Sequence, residues 1–276
     1  MSFISIDNEE DLSYLNQELL NKPYLGVDTE FRRTSKDDMK LALLQVNDGE
    51  EIYLIDSIAI KEPKDNCDFL FSGSVTKILH SCKEDIEAIY SWTGKAMVNI
   101  FDTQIANALL HGDYSIGYQQ LVKDYLDLDL EKNETRSNWI KRPLTNSQLK
   151  YAALDVEYLI YLYLDQKIDL DKTSKIGWLS QDIEKLTNSI FNPMPIFNDL
   201  ERTVSKSQEM EYLKDFNLIV EKISRREEIN PTLFFSKKAQ KDFLRLVLNR
   251  GLDVACNEVT AWRSSLIKEH ILNLLK

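Results

Sequence analysis

Five short apolar runs, at 24–31, 41–46, 51–55, 77–80 and 97–101, are bounded by polar or turn-forming residues, the pattern of β-strands. The first three follow one another with only loops between them. That spacing predicts an antiparallel meander, because parallel neighbours need long crossovers. A helical pattern at 83–92, with Ile86, Ile89 and Tyr90 on one stripe, separates the fourth run from the fifth. From Asp102 onward the pattern is mostly helical. Its strongest stretch is 145–164, where Leu149, Ala152, Ala153, Val156, Leu159 and Ile160 form a stripe at helical spacing behind the start signal of Pro143 and Thr145. These elements predict an α/β fold with a mixed five-stranded sheet flanked by helices.

The segment 191–199 carries two of the six prolines and cannot continue a helix. Helical patterns resume at 210–226, 236–249 and 258–276 without strand-like alternation, as in a small all-α bundle. The expected organisation is therefore a domain at 1–190, a linker at 191–202 and a helical domain at 203–276. With 43% hydrophobic and 29% charged residues the chain is not disordered. The net charge of −11 is uneven: residues 1–200 hold 20 basic and 34 acidic side chains, residues 201–276 hold 14 and 11. An acidic body with a mildly basic appendage is expected. Cys67, Cys82 and Cys256 are widely spaced and suggest neither a disulfide framework nor a zinc ribbon. With no apolar run of membrane-spanning length and an acidic N-terminal segment, the expectation is a cytoplasmic protein that neither spans a membrane nor is exported. The eight glycines form no phosphate-cradling loop after a strand, so no organic nucleotide cofactor is expected.

Three local patterns can carry chemistry. In Gly26-Val27-Asp28-Thr29-Glu30-Phe31, strand alternation places Asp28 and Glu30 on one side. Two adjacent carboxylates repel, so the pair requires exposure at a solvated edge or a hard cation between them. In His80-Ser81-Cys82-Lys83-Glu84-Asp85-Ile86-Glu87 a strand gives way to a helix, where acidic residues also serve the helix dipole. In Tyr151-Ala152-Ala153-Leu154-Asp155 a phenol stands one turn from a carboxylate on a helix that is apolar on more than one face. Taken singly, that pair also fits a core tyrosine and a satisfied aspartate. Taken together, four acids on a strand, a helix start and a later helix can converge on two metal ions about 4 Å apart.

Asp28-Thr29-Glu30, Asp85 in its acidic helix start, and Tyr151 with Asp155, in that order, resemble the three motifs of the DEDDy 3′→5′ exonucleases. Leu41-Ala42-Leu43-Leu44-Gln45-Val46, Phe101-Asp102-Thr103-Gln104 and the stretch from Glu131 through Leu159 resemble the ribonuclease D family more narrowly. The resemblance covers roughly residues 1–185 and implies a ribonuclease H-like fold. It further implies two divalent ions, Mg²⁺ or Mn²⁺, and stepwise release of nucleoside 5′-monophosphates from an RNA with a single-stranded 3′ end, such as a tRNA precursor. On this resemblance Asp28 bridges both ions, and Glu30 and Asp155 hold the one that binds the attacking water. Asp85 serves the second ion through water, and Tyr151 orients the nucleophile. Asp102 is expected to cap the helix that follows it.

Nucleic-acid contacts are expected from Lys132 and Arg136 to phosphate and from Trp139 by stacking or packing, while Gln45 and His80 either reach the terminal nucleotide or satisfy buried backbone groups. Lys141 and Arg142 read as a solvated loop. The C-terminal pattern ending in Ala261-Trp262-Arg263 resembles the helical HRDC domains that end ribonuclease D chains, and only one fits the length available. Arg225, Arg226, Lys237, Lys238 and Lys241 are candidate phosphate contacts there. Two other readings share the fold: a DNA 3′→5′ exonuclease, and a catalytically silent nucleic-acid-binding module.

Overall fold

The computed structural model describes residues 2–35, 38–63, 66–130, 137–192 and 203–275. The chain enters through a three-residue strand, β1 (Ile4–Ile6), and a helix, α1 (Glu9–Leu19), whose N-cap Asn8 accepts the Asp11 amide. The expected meander follows as β2 (Tyr24–Ser35), β3 (Asp38–Asn47) and β4 (Ile52–Ile55), paired antiparallel with Asp28 opposite Gln45. A short helix α2 (Asp68–Phe71), strand β5 (Thr76–Leu79), helix α3 (Lys83–Thr93) and strand β6 (Ile100–Asp102) complete the sheet. Its order is β1-β4-β3-β2-β5-β6. The sheet thus has six strands among the described residues, one more than the pattern predicts. β1 is three residues at the sheet edge with Ile4 and Ser5 exposed, too short to show a period.

The helices α4 (Thr103–Leu109), α5 (Tyr118–Leu126), α6 (Asn146–Glu157), α7 (Leu159–Lys172) and α8 (Ile176–Phe191) come next. The single helix expected at 145–164 is two, α6 and α7, broken at Tyr158. α3 packs on β2 and β3, and α6 on β2, β3 and β4. They cover opposite faces, which is why β3 is apolar and buried almost continuously from Leu41 to Val46 instead of alternating.

The remaining helices are α9 (Lys206–Glu227), α10 (Pro231–Phe235), α11 (Lys237–Arg250), α12 (Leu252–Asn257) and α13 (Ala261–Leu274). Two compact units result, residues 1–104 with 116–168 and residues 105–115 with 169–276. The boundary therefore does not fall at the proline-rich segment, most of which (193–202) lies outside the described residues. α8 belongs with the C-terminal helices for a packing reason: Trp178 stacks on Trp262 at 4.6 Å, and Asp182 is held by Trp262 and Arg263. No helix among the described residues is long and apolar enough to cross a membrane.

Candidate active site

Alternation along β2 sends Asp28 and Glu30 to one face of the sheet and Thr29 to the other. α6 lies against the first face and comes unusually close. A side chain at Gly26 would place its Cβ 3.2 Å from both the Leu159 Cβ and the Val156 carbonyl oxygen, so any other residue would push this contact apart by a few tenths of an ångström. The Asn47 amide on β3 then donates to the carbonyls of Val156 and Glu157 at 3.0 and 3.1 Å, pinning the C-terminal end of α6 to the sheet. The N-terminal end is fixed by a reciprocal capping box between Thr145 and Gln148. Before it, Arg142 donates to both Asp56 oxygens and to the carbonyls of Ala42 and Trp139. Arg142 is thus a structural clamp and not part of a solvated loop.

This framing faces Asp155 toward Asp28 and Glu30: ligand oxygens of the three lie within 4.8 Å of one another. Burial comes first among the causes that push all three carboxyls above their usual range, and repulsion adds to it, from Asp85 on all three, from Asp155 on Asp28 and Glu30, and from Glu30 on Asp28. Glu30 rises to about 9 and Asp155 to about 7. For Asp155 the neighbouring Tyr151 hydroxyl offsets part of the rise. Burial also drives the Tyr151 phenol upward, so it stays an O–H donor at neutral pH. Its ring is backed by Trp139, 6.1 Å away and 6% exposed.

Asp85 enters from the start of α3. It stands outside the three-carboxylate cluster and accepts the Thr29 hydroxyl at 2.5 Å. Burial again dominates in pushing it up, to about 7. A set of hard oxygen donors, Asp85 buried and the other three half-buried, whose charges have no cation among the described residues fits a divalent ion, which would hold all of them ionised. Asp102 takes no part; its two oxygens accept the amides of Cys82 and Gln104, the second in the first turn of α4.

The residues expected to touch nucleic acid fare differently. Gln45 is fully buried opposite Asp28, with neither amide atom hydrogen bonded, so it presents no surface to a nucleotide. Both ring nitrogens of His80 are engaged, Nδ1 with Thr103 at 2.9 Å and Nε2 with the Ile116 carbonyl at 3.0 Å, which leaves none for a base. Trp139 is packing, not an exposed stacking platform. Lys132 and Arg136 lie outside the described residues. Sequence reading missed Asn47 and Arg142, which act on backbone carbonyls far away in the chain. Gly26, a glycine inside a strand pattern two residues before Asp28, carried a readable signal of close approach.

Residues 3–169 match the model of a 3′–5′ exonuclease family. A ribonuclease D of Pseudomonas paraeruginosa is 40% identical over 187 residues, 67% of this chain and 49% of that protein. The chain spans about half the length of the curated relatives it matches. Among solved structures, RNase D of Escherichia coli, an exoribonuclease involved in structured RNA processing, aligns over 100% of this chain and 74% of its own at 24% identity, with a TM-score of 0.67. Brucella melitensis NrnC with bound Mg²⁺ aligns over 71% of this chain and 96% of its own at 22% identity, with a TM-score of 0.59. Those structural likenesses establish the fold, and the sequence match establishes the rest: the chain belongs to the 3′–5′ exonuclease family.

Proposed function

We propose that the chain is a metal-dependent 3′→5′ exoribonuclease of ribonuclease D type. It removes nucleoside 5′-monophosphates from RNA with a single-stranded 3′ end, tRNA precursors being the favoured class. The observation that carries this reading is the convergence of Asp28, Glu30 and Asp155 within 4.8 Å inside a 3′–5′ exonuclease domain. Two divalent ions, Mg²⁺ or Mn²⁺, would be held by these three and by Asp85. When bound, they supply Lewis-acid polarisation of the scissile phosphate and a more acidic attacking water.

The chain's own residues do the rest. Without a cation the clustered carboxylates repel an approaching phosphate, so substrate binding at this site is tied to metal loading. Tyr151, kept protonated by burial, orients the attacking oxygen as a hydrogen-bond donor and takes no proton from it. Trp139 holds that ring in place. Lys132 and Arg136 in the preceding loop, and Lys237, Lys238 and Lys241 on α11, are proposed to add phosphate contacts.

The test is a 5′-labelled single-stranded RNA incubated with protein and Mg²⁺, with EDTA and Asp155→Ala as controls. A ladder shortening from the 3′ end, absent in both controls, is expected. No shortening with Mg²⁺ or Mn²⁺ despite RNA binding would turn the reading to a silent binding module, and equal or faster cutting of matched DNA would overturn the RNA assignment.

A further inference from the structure

The break between α6 and α7 has a specific cause. In a continuous helix the Tyr158 amide would bond to the Leu154 carbonyl. Instead the Tyr118 hydroxyl, from α5, occupies the place of that bond. It accepts from the Tyr158 amide at 3.0 Å and donates to the Leu154 carbonyl at 3.2 Å. A side chain inserted into the helical ladder is a recognised origin of a kink, and the chain turns here, with Tyr158 at φ −105° and ψ 0°. Tyr118 is half-buried, and its ring packs against the cluster of Ile116, Leu121, Val122 and Leu162.

Leu154 and Tyr158 bracket Asp155. The same junction is gripped from the other side by Asn47 and by the close approach at Gly26. α6 carries both Tyr151 and Asp155, so its direction decides whether the Asp155 carboxylate meets Asp28 and Glu30. With the hydroxyl gone, the Tyr158 amide keeps only its bond to the Val156 carbonyl and can exchange it for the Leu154 carbonyl, so that the two helices run on as one. A displacement of about 1 Å at an active site can cost about 100-fold.

We propose that Tyr118 is a positioning residue for the metal site: its hydroxyl, wedged between α6 and α7, sets the carboxylate of Asp155 against Asp28 and Glu30. This rests on reading those three carboxylates as metal ligands. A purely structural tyrosine would satisfy the same two backbone groups without affecting the site, so the test must read the metal directly.

Tyr118→Phe keeps the ring and removes only the wedge. In Mn²⁺ titration calorimetry without RNA, its affinity is expected to fall roughly 10- to 100-fold, the range seen when groups that orient metal ligands are lost. At limiting Mn²⁺, kcat and kcat/KM for RNA should fall in step with metal occupancy, and excess Mn²⁺ should restore much of both. Leu121→Ala, which damages the same apolar cluster, serves as the comparison. It is expected to lower the melting temperature more than Tyr118→Phe while leaving Mn²⁺ affinity within about twofold of the unaltered protein. Unchanged Mn²⁺ affinity and kcat in Tyr118→Phe, or an equal loss of affinity in Leu121→Ala, overturns the proposal. If the unaltered protein itself binds no Mn²⁺, the metal-site reading falls and the proposal with it.

Discussion

Charge is handled in opposite ways in the helical unit and at the acid cluster of the sheet unit, although elsewhere in the sheet unit Asp56 and Asp48 are paired with Arg142 and Lys22. In the helical unit, Asp182 is 8% exposed and receives both Arg263 and the Trp262 indole; Glu209, 5% exposed, is paired with Arg245. Lys175, also 5% exposed, gives its ammonium to the carbonyls of Leu109 and Glu228 at 3.0 Å each. In the sheet unit, Asp28, Glu30 and Asp155 crowd together with no cation among the described residues, and Asp85 has a hydroxyl as its partner. Burying a charge is costly unless it is paired. A fold that pairs its charges in one place and stacks them unpaired in another keeps the second arrangement for an ion that comes from outside. The difference separates charge that maintains structure from charge that awaits a ligand.

The comparison breaks most sharply on removing one charge from each unit. Asp28→Asn takes a like charge out of the cluster and a ligand out of the metal site. Metal-dependent turnover is expected to fall about 1,000-fold, since the ligand serves a charge-stabilising role of several kcal/mol and each ~1.4 kcal/mol is tenfold. Melting in EDTA at neutral pH should rise at the same time, because folding no longer has to desolvate that carboxyl or set it against its acidic neighbours. A variant with full activity, or with a lower melting temperature in EDTA, would contradict the assignment of Asp28.

Arg263→Met makes the opposite change in the helical unit. It leaves Asp182 buried without its cation, for which breaking a buried pair costs about 3–5 kcal/mol. The melting temperature should drop clearly, by an amount independent of EDTA, whereas Mn²⁺ affinity at the acid cluster should hold. Chemical denaturation followed by circular dichroism, with and without Mg²⁺, reads both. If Asp28→Asn and Arg263→Met shift stability in the same direction, the contrast between the units is wrong.

Much of this was legible in the chain because it rests on short-range periodicity. Asp28 and Glu30 share a strand face by alternation, and Tyr151 and Asp155 share a helix side by their spacing, so the acid cluster could be anticipated before any coordinates. The meander and α3 follow from the same periods. What sequence patterns do not carry is tertiary grip on backbone groups. Asn47 on α6, Arg142 on Asp56, and Tyr118 at the α6–α7 break join residues 36 to 110 positions apart, and only Arg142 lies in a stretch that carries the family resemblance. The break itself was invisible because the apolar stripe runs through it without a proline or glycine. Gln45 and His80 stay open between two roles for the complementary reason: a polar residue near a catalytic strand can face a ligand or a buried backbone group until burial and partners are known.

The smallest expected effect distinguishes the units by pH. Burial and mutual repulsion hold the folded-state carboxyls above their ordinary range, with Asp85 and Asp155 at about 7 and Glu30 at about 9. The unfolded chain titrates these groups near about 4. Between those limits the native state holds more protons than the unfolded state, so the stability of metal-free protein is greatest below about pH 4 as far as these groups decide it and is lost as pH rises toward about 9. Metal binds the ionised form, so its stabilisation grows over the same window. Melting curves from pH 5 to 8.5 should therefore fall in EDTA and diverge progressively from those in Mg²⁺. Glu30→Gln removes a group that titrates at the upper end and should flatten the EDTA curve there. Arg263→Met leaves the acid cluster intact and should shift both curves down while preserving their divergence. Parallel EDTA and Mg²⁺ curves in the unaltered protein would mean that the buried acids do not titrate with folding and that the sheet unit, like the helical one, compensates its charge internally.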